Sequence, residues 1–368
     1  MSEPNRTTPH AAGSGGRKLV AMTGAALLVA GAMYASRDSL PPAPVAAAED
    51  KGKKPAAPTP RAVDAANAFL DALDAKQKEK AALEYGSDKK PNWSNFPTSF
   101  TPRNGVKLGD LTKEQRDKAM AVVASVLSKD GYQKVVDIMD GDQKLLDNPG
   151  KGKGGEKGPI FGKDLYYLAI FGTPSETKPW MVQFGGHHLG VNVTVVGKNF
   201  VLTPTHTGTQ PALFKRGDAA IRPLGQEADT AYKLMDALDE KQRKAAIIGD
   251  KSQDLVLGPG KDSKTVEVKG VKGADLTKDQ QALLLDVIGA WVTIVESDAA
   301  AARMAAIKET IGETYFAWSG PTEKGKAAYF RVQGPSVIIE YAPQGGTDHI
   351  HTVIRNPKDE YGAGSIKQ

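Results

Sequence analysis

The 368-residue sequence contains no cysteine. That excludes disulfide frameworks, thiol nucleophiles, Cys-ligated zinc, iron–sulfur clusters and a lipid-modified N-terminal Cys. Histidine is scarce too, at six residues, and aromatics make up 7%. Any metal chemistry must therefore rest on a few imidazoles and carboxylates. A strong excess of one charge is also missing from the body. The net charge is +5, but residues 1–60 hold seven bases and four acids, which leaves +2 on the remainder. So nearly neutral a body offers no wide basic face for nucleic acid. Leu257-Gly258-Pro259-Gly260 lacks a following Lys-Ser/Thr, so it reads as a turn and no nucleotide cofactor is expected. Ser319, in Trp318-Ser319-Gly320-Pro321, lacks the spacing of a nucleophile elbow.

Long apolar runs are absent except for one. Arg17-Lys18 precede an uncharged stretch from Leu19 to Ala35, and Ala46-Ala47-Ala48 follows. Basic, apolar and small-residue regions in that order form the secretory pattern and predict export across the cytoplasmic membrane, to a periplasmic or extracellular destination. A 17-residue run sits at the lower edge for spanning a bilayer, so a retained anchor, with a membrane tether through 19–35, stays open beside cleavage. Pro41, Pro42, Pro44, Pro55, Pro58 and Pro60 predict an extended tether, and residues 1–60 are read as export segment plus tether.

The body repeats itself. Asp71-Ala72-Leu73-Asp74-Ala75-Lys76-Gln77 recurs as Asp236-Ala237-Leu238-Asp239-Glu240-Lys241-Gln242. Asp110-Leu111-Thr112-Lys113-Glu114-Gln115 recurs as Asp275-Leu276-Thr277-Lys278-Asp279-Gln280, also 165 residues on. Tyr167–Gly172 matches Tyr315–Gly320 at a shift of 148, which implies an insertion in the first copy, in the Gly/Lys-rich stretch near 150–162. Each copy opens with helical stripes (Ala66, Phe69, Leu70, Leu73; Ala231, Leu234, Met235, Leu238). Thr112 with Gln115, and Thr277 with Gln280, fit capping boxes of a second helix. A third helix is predicted around 132–146 and 298–311. Strand patterns follow at 165–171, 180–184, 189–196 and 200–202, and again at 314–318, 328–332, 336–341 and 350–354. The expected fold is α+β: two diverged copies, 61–225 and 226–368, each a helical segment followed by an antiparallel meander. A lone three-stranded sheet is marginal, so the copies are expected to join in one pseudo-twofold body.

Apart from His10 in the leader, histidine is confined to His187-His188, His206 and His349-x-His351. On a strand, His349 and His351 share a face, whereas neighbours such as His187 and His188 point to opposite faces, so only one of that pair is expected to join them. That residue, or His206, supplies a third imidazole. Three imidazoles with an open position describe a catalytic zinc site, although copper and iron suit the same ligands. Glu340, an acid within a strand pattern, is the expected general base or extra ligand. Arg331 and Arg355 are candidates for an anionic substrate. Asp348 serves the turn before His349, and Gly185-Gly186 either makes a turn or lets backbone approach a ligand.

Phe184-Gly185-Gly186-His187-His188-Leu189, Leu202-Thr203-Pro204-Thr205, Tyr315-Phe316-Ala317-Trp318-Ser319-Gly320-Pro321-Thr322, Val337-Ile338-Ile339-Glu340-Tyr341-Ala342-Pro343-Gln344 and His349-Ile350-His351-Thr352 resemble the bacterial family catalogued as domain of unknown function 3500. The resemblance spans about residues 62–362. It implies that the Gly-Gly-His-His and His-x-His segments belong to the family pattern, and it carries no activity. Two functions are expected on these grounds. The first is an exported metal-dependent hydrolase with a histidine-lined site. The alternative is a non-catalytic envelope protein binding a small molecule or an envelope component in a cleft between the copies.

Overall fold

Four patterns of the form Asp/Thr-x-x-Gln start helices, and their chemistry sets the helical layer. In the computed structural model, which describes residues 57–148 and 161–367, Asp74, Thr112, Asp239 and Thr277 each accept a hydrogen bond from the backbone three residues on, and the Gln there accepts one from the cap's own N–H. Each cap satisfies backbone donors that the first helical turn leaves unpaired, a gain of about 1 kcal/mol. The glutamines also interlock. Gln115 Nε2 donates to Gln77 Oε1 at 2.9 Å and to the Ala72 carbonyl at 2.8 Å. Gln280 Nε2 donates to Gln242 Oε1 at 2.8 Å and to the Ala237 carbonyl at 2.7 Å. The repeated motif is thus a helix–helix clasp, used twice.

The expected export segment and most of the Gly/Lys-rich insertion lie outside the described residues. The first helix begins inside the span read as tether, since Pro58 already stands in its first turn, where a missing N–H and a fixed φ cost nothing. From there the chain runs α1 (Pro58–Asp71), α2 (Ala75–Ala81), β1 (Ala82–Leu83), β2 (Val106–Lys107), α3 (Lys113–Val126), α4 (Lys129–Asp147), β3 (Tyr167–Phe171), β4 (Trp180–Gly185), β5 (Leu189–Val196), β6 (Asn199–Val201) and β7 (Thr205–Thr209). A small hairpin, β8 (Phe214–Arg216) and β9 (Ala219–Ile221), leads to a similar succession. It comprises α5 (Gly225–Ala237), α6 (Glu240–Ala246), β10 (Ile247–Gly249), β11 (Val271–Lys272), α7 (Lys278–Val292), α8 (Ser297–Glu309), β12 (Tyr315–Ser319), β13 (Tyr329–Gln333), β14 (Ile338–Pro343) and β15 (Ile350–Arg355). Among the described residues, no helix is long and apolar enough to cross a membrane.

Strands from both stretches form one sheet, in the order β1-β3-β4-β5-β7-β15-β14-β13-β12-β10. Its centre is the antiparallel pair β7–β15, with His206 opposite Val353 and Gly208 opposite His351. The sheet is mixed, not the purely antiparallel meander that strand patterns suggested. β1 and β10 pair in parallel with β3 and β12, because the intervening helices carry the chain back across the sheet between them.

The two faces of the sheet differ chemically. Val182, Phe184, Val191 and Val193 pack with α1 and α3 in one core, and Phe316, Phe330, Ile339 and Ile354 pack with α5 and α7 in another. Opposed residues share a face, and Arg331, Glu340, Val353, His206 and Gly190 are paired in succession across five strands. Alternation puts Gln183, Asn192, His351 and Arg355 on that same polar side. These groups are buried under two long connections, 84–105 and 250–270, and they hold them there. Gln183 accepts from Asn104 (2.6 Å) and donates to the Lys90 carbonyl (2.8 Å). Gln333 donates to the carbonyl of Val266 at 2.9 Å.

Candidate metal centre

Alternation along strands decides only part of the histidine geometry. His349 ends the turn before β15 and His351 lies within it, on the polar side, with Nε2 atoms 3.0 Å apart. His187 and His188 do not alternate as strand neighbours would, because both sit in the turn between β4 and β5. Their ring centroids lie 3.9 Å apart, with the planes tilted by 33°. Gly185 and Gly186 permit that turn: a Cβ on Gly186 would meet the Tyr166 ring at 2.9 Å, and one on Gly185 the Leu189 carbonyl at 2.4 Å. The turn is tied to the neighbouring strand where the Gly208 amide donates to the His188 carbonyl at 2.7 Å.

His187, His188, His349 and His351 consequently each offer a ring nitrogen within 4.8 Å of the others, and the group could hold a metal ion. Three Nε2 atoms converge most closely, with His349 standing 3.0 Å from both His188 and His351. A tetrahedral ion with bonds of about 2.0–2.1 Å separates its nitrogens by about 3.4 Å, so these rings need to part by only a few tenths of an ångström. His187, His188 and His351 are buried and His349 is half-buried, which leaves His349 as the side open to solvent. Burial lowers the pKa of all four, which favours the neutral form that binds metal.

The surroundings fix the rings. His188 Nδ1 lies 2.5 Å from Asp142 Oδ1, and Asp142 Oδ2 accepts from the Tyr166 hydroxyl at 2.7 Å. Burial raises the pKa of both Asp142 and Tyr166. His351 Nδ1 is 3.1 Å from the side-chain amide of Asn95. Ligation through His351 Nε2 would place the proton on Nδ1, and Asn95, whose Nδ2 faces that atom, would have to turn its amide over to accept from it. Arg103 pins the same connection to the histidine turn, donating from Nη2 to the carbonyls of Gly186 (2.9 Å) and Ser94 (2.8 Å).

His206 lies beside the group and outside it. Its Nδ1 donates to the Thr352 carbonyl at 2.8 Å, its ring stacks on Trp93, and it meets His351 edge-on at 5.4 Å. Its buried Nε2 has no hydrogen-bond partner among the described residues, and burial holds its pKa down to about 4.

The other expected site residues are engaged elsewhere. Glu340 accepts from the amides of Val256 (2.9 Å) and Leu257 (2.7 Å) and from the Tyr329 hydroxyl (2.7 Å). With its lone pairs so occupied it anchors the 250–270 connection, which displaces the expected role as base or ligand. Arg355 donates to the carbonyls of Leu257 and Gly258 and pairs with Asp262 and Glu360, and Arg331 donates to the Glu267 carbonyl. Both guanidinium groups thus bind the protein's own loop where an anionic substrate was expected. Asp348 accepts from the Ala212 amide at 3.1 Å, a tie to a distant connection where a bond within the turn before His349 was expected.

Asp142, Tyr166, Asn95 and Arg103 escaped the sequence reading. Only Asp142 left a signal, since it shares a helical stripe with Val135, Ile138, Met139 and Leu145, where a carboxylate is out of place unless it has a partner.

No curated protein and no solved structure matches the chain. The pattern of the family described as Protein of unknown function (DUF3500) matches residues 55–363, which contain the whole histidine group and its supports. The chain belongs to that family.

Proposed function

We propose that the protein is an exported metal-dependent hydrolase whose ion, zinc before copper or iron, is held by His188, His349 and His351. The convergence of three Nε2 atoms backed by a buried carboxylate carries this reading. Three neutral imidazoles leave a position for water, whose pKa such an ion lowers to about 7, making a nucleophile at neutral pH. The half-buried His349 marks the side from which a substrate reaches it. The secretory pattern of residues 17–48 supports export, and a retained anchor fits it equally. The mirrored strand order and the twin glutamine clasps support descent from a duplicated α-then-β unit. The ligands come from both copies, so the site is a property of their union.

One observation favours a second reading. His187 lies close enough to complete a four-imidazole shell, and a closed shell suits holding an ion more than activating water. The protein would then be a non-catalytic envelope component that binds a metal or a partner. Elemental analysis of protein from its native host, with a His349→Ala/His351→Ala variant, tests the shared premise. About one ion per chain, lost in the variant, is expected, and metal far below that in both sinks it. Turnover on ester, amide and phosphoester panels that falls with metal removal selects the hydrolase. Full loading with no turnover, and metal retention that depends on His187, select the closed site.

A further inference from the structure

We propose that Tyr166 and Asp142 are positioning residues for this centre, fixing His188 as its Nδ1–H tautomer and strengthening the hold on a dication. The inference rests on the metal reading and goes further, to which side chains set the affinity and for what class of ion.

The geometry is a linear chain. The Tyr166 hydroxyl donates to Asp142 Oδ2 at 2.7 Å, and the other oxygen of Asp142 faces His188 Nδ1 at 2.5 Å. Ionised Asp142, the form a nearby dication favours, has only lone pairs to offer, so Nδ1 then carries the proton and Nε2 presents its own lone pair towards His349 Nε2, 3.0 Å away. Asp142 is 1% exposed and His188 fully buried, and among the described residues no Lys or Arg pairs with that carboxylate. Tyr166 is held in turn by Gly186, whose missing side chain gives the ring its place. One tyrosine therefore locks both the carboxylate and the turn that carries His187 and His188.

Two consequences follow from the electrostatics. A hydrogen-bonded carboxylate makes the imidazole a stronger donor, an effect typically worth 10–100-fold in metal affinity. Its attraction to the ion also grows with the ion's charge, so its removal costs a dication about twice the free energy it costs a monocation.

The test uses the full chain, with Zn(II) and Cu(I) as probes. Asp142→Asn is expected to lower Zn(II) affinity about 10–100-fold and Cu(I) affinity by only about 3–10-fold. Equal losses for both ions indicate a merely structural residue and overturn the proposal, as does Zn(II) affinity within threefold of the wild type. Tyr166→Phe, which removes one hydroxyl, is expected to shift the visible absorption of the Co(II)-substituted protein with the fold intact, and an unchanged spectrum counts against Tyr166. Should Asp142→Asn fail to fold, long-range ¹H–¹⁵N correlation of the Zn(II)-loaded wild type still decides. His188 protonated at Nδ1 supports the inference, and protonation at Nε2 refutes it. A wild type that binds no Zn(II) brings down the metal reading itself, a result distinct from all of these.

Discussion

Gly208 faces His188 so closely that a Cβ on it would lie 3.0 Å from the imidazole Cδ2, with His351 Cδ2 at 3.1 Å and the Ile350 carbonyl at 2.9 Å. The ring pair has its spacing because that strand position carries no side chain. Gly208→Ala is expected to push the imidazoles off register, lower metal affinity at least tenfold and destabilise the fold by about 1–3 kcal/mol. Competition with a chelator measures the first and urea unfolding the second. An unchanged affinity would show that the rings adapt.

Acid should destabilise the metal-free protein. Burial holds His206 at about 4 in the folded state, against about 6.5 unfolded. Between those values the unfolded chain binds the extra proton, so stability is complete above about pH 6.5 and falls as the pH drops through the window towards 4. His206 alone accounts for at most about 3 kcal/mol of this. The other four imidazoles shift in the same direction and steepen the loss. Urea midpoints at pH 7.5, 5.5 and 4.5 in the presence of EDTA check it, and His206→Gln should flatten the curve. A stability independent of pH over that range contradicts the burial.

The glutamine clasps make unequal predictions for their members. Gln280 accepts from the Thr277 amide and, through Nε2, reaches Gln242 and the Ala237 carbonyl, mostly out of water. Gln280→Ala should cost about 2–3 kcal/mol, since several buried partners lose their bonds together. Gln77→Ala, in the more exposed clasp, should cost about 1 kcal/mol. Denaturant titration of the two variants orders them, and equal costs would remove burial as the cause.

Glu340 separates anchoring from chemistry. Glu340→Gln sets an amide NH₂ against donors from Val256, Leu257 or Tyr329, a loss of about 1–3 kcal/mol concentrated on the 250–270 connection. Metal content should stay at the wild-type level, while proteolysis or hydrogen exchange accelerates at 250–258. Loss of metal with an undisturbed connection would return Glu340 to the site.

Legibility varied with the kind of signal. The helices with apolar stripes and the longer strands were readable, because burial on one face writes a period into the sequence. α2 and α6 were not, although their Asp-x-x-Gln caps were noticed as a repeat, since seven residues carry too little periodicity. β7 was missed for a different reason. Thr205-His206-Thr207-Gly208-Thr209 has no apolar residue, yet it is buried throughout at the centre of the sheet, where Thr and His hydrogen bonds replace hydrophobic packing. The family was legible from its motifs. The histidines could be named, but turn geometry, which no period encodes, brings His187 alongside His188. Glu340, Arg331 and Arg355 drew attention as polar residues in strands, and the structure engages them in holding connections over the sheet.

The chain must close a long circuit before it owns this centre. His188 and His349 are 161 residues apart, and Asp142 stands 46 residues ahead of His188. A chain cut before His349 would hold the carboxylate, the tyrosine and one turn of imidazoles, with neither His349 nor His351 opposite them. Metal capture at this group would therefore be a late event, coming after the last central strand docks. An ion held there would report that the whole body has been assembled.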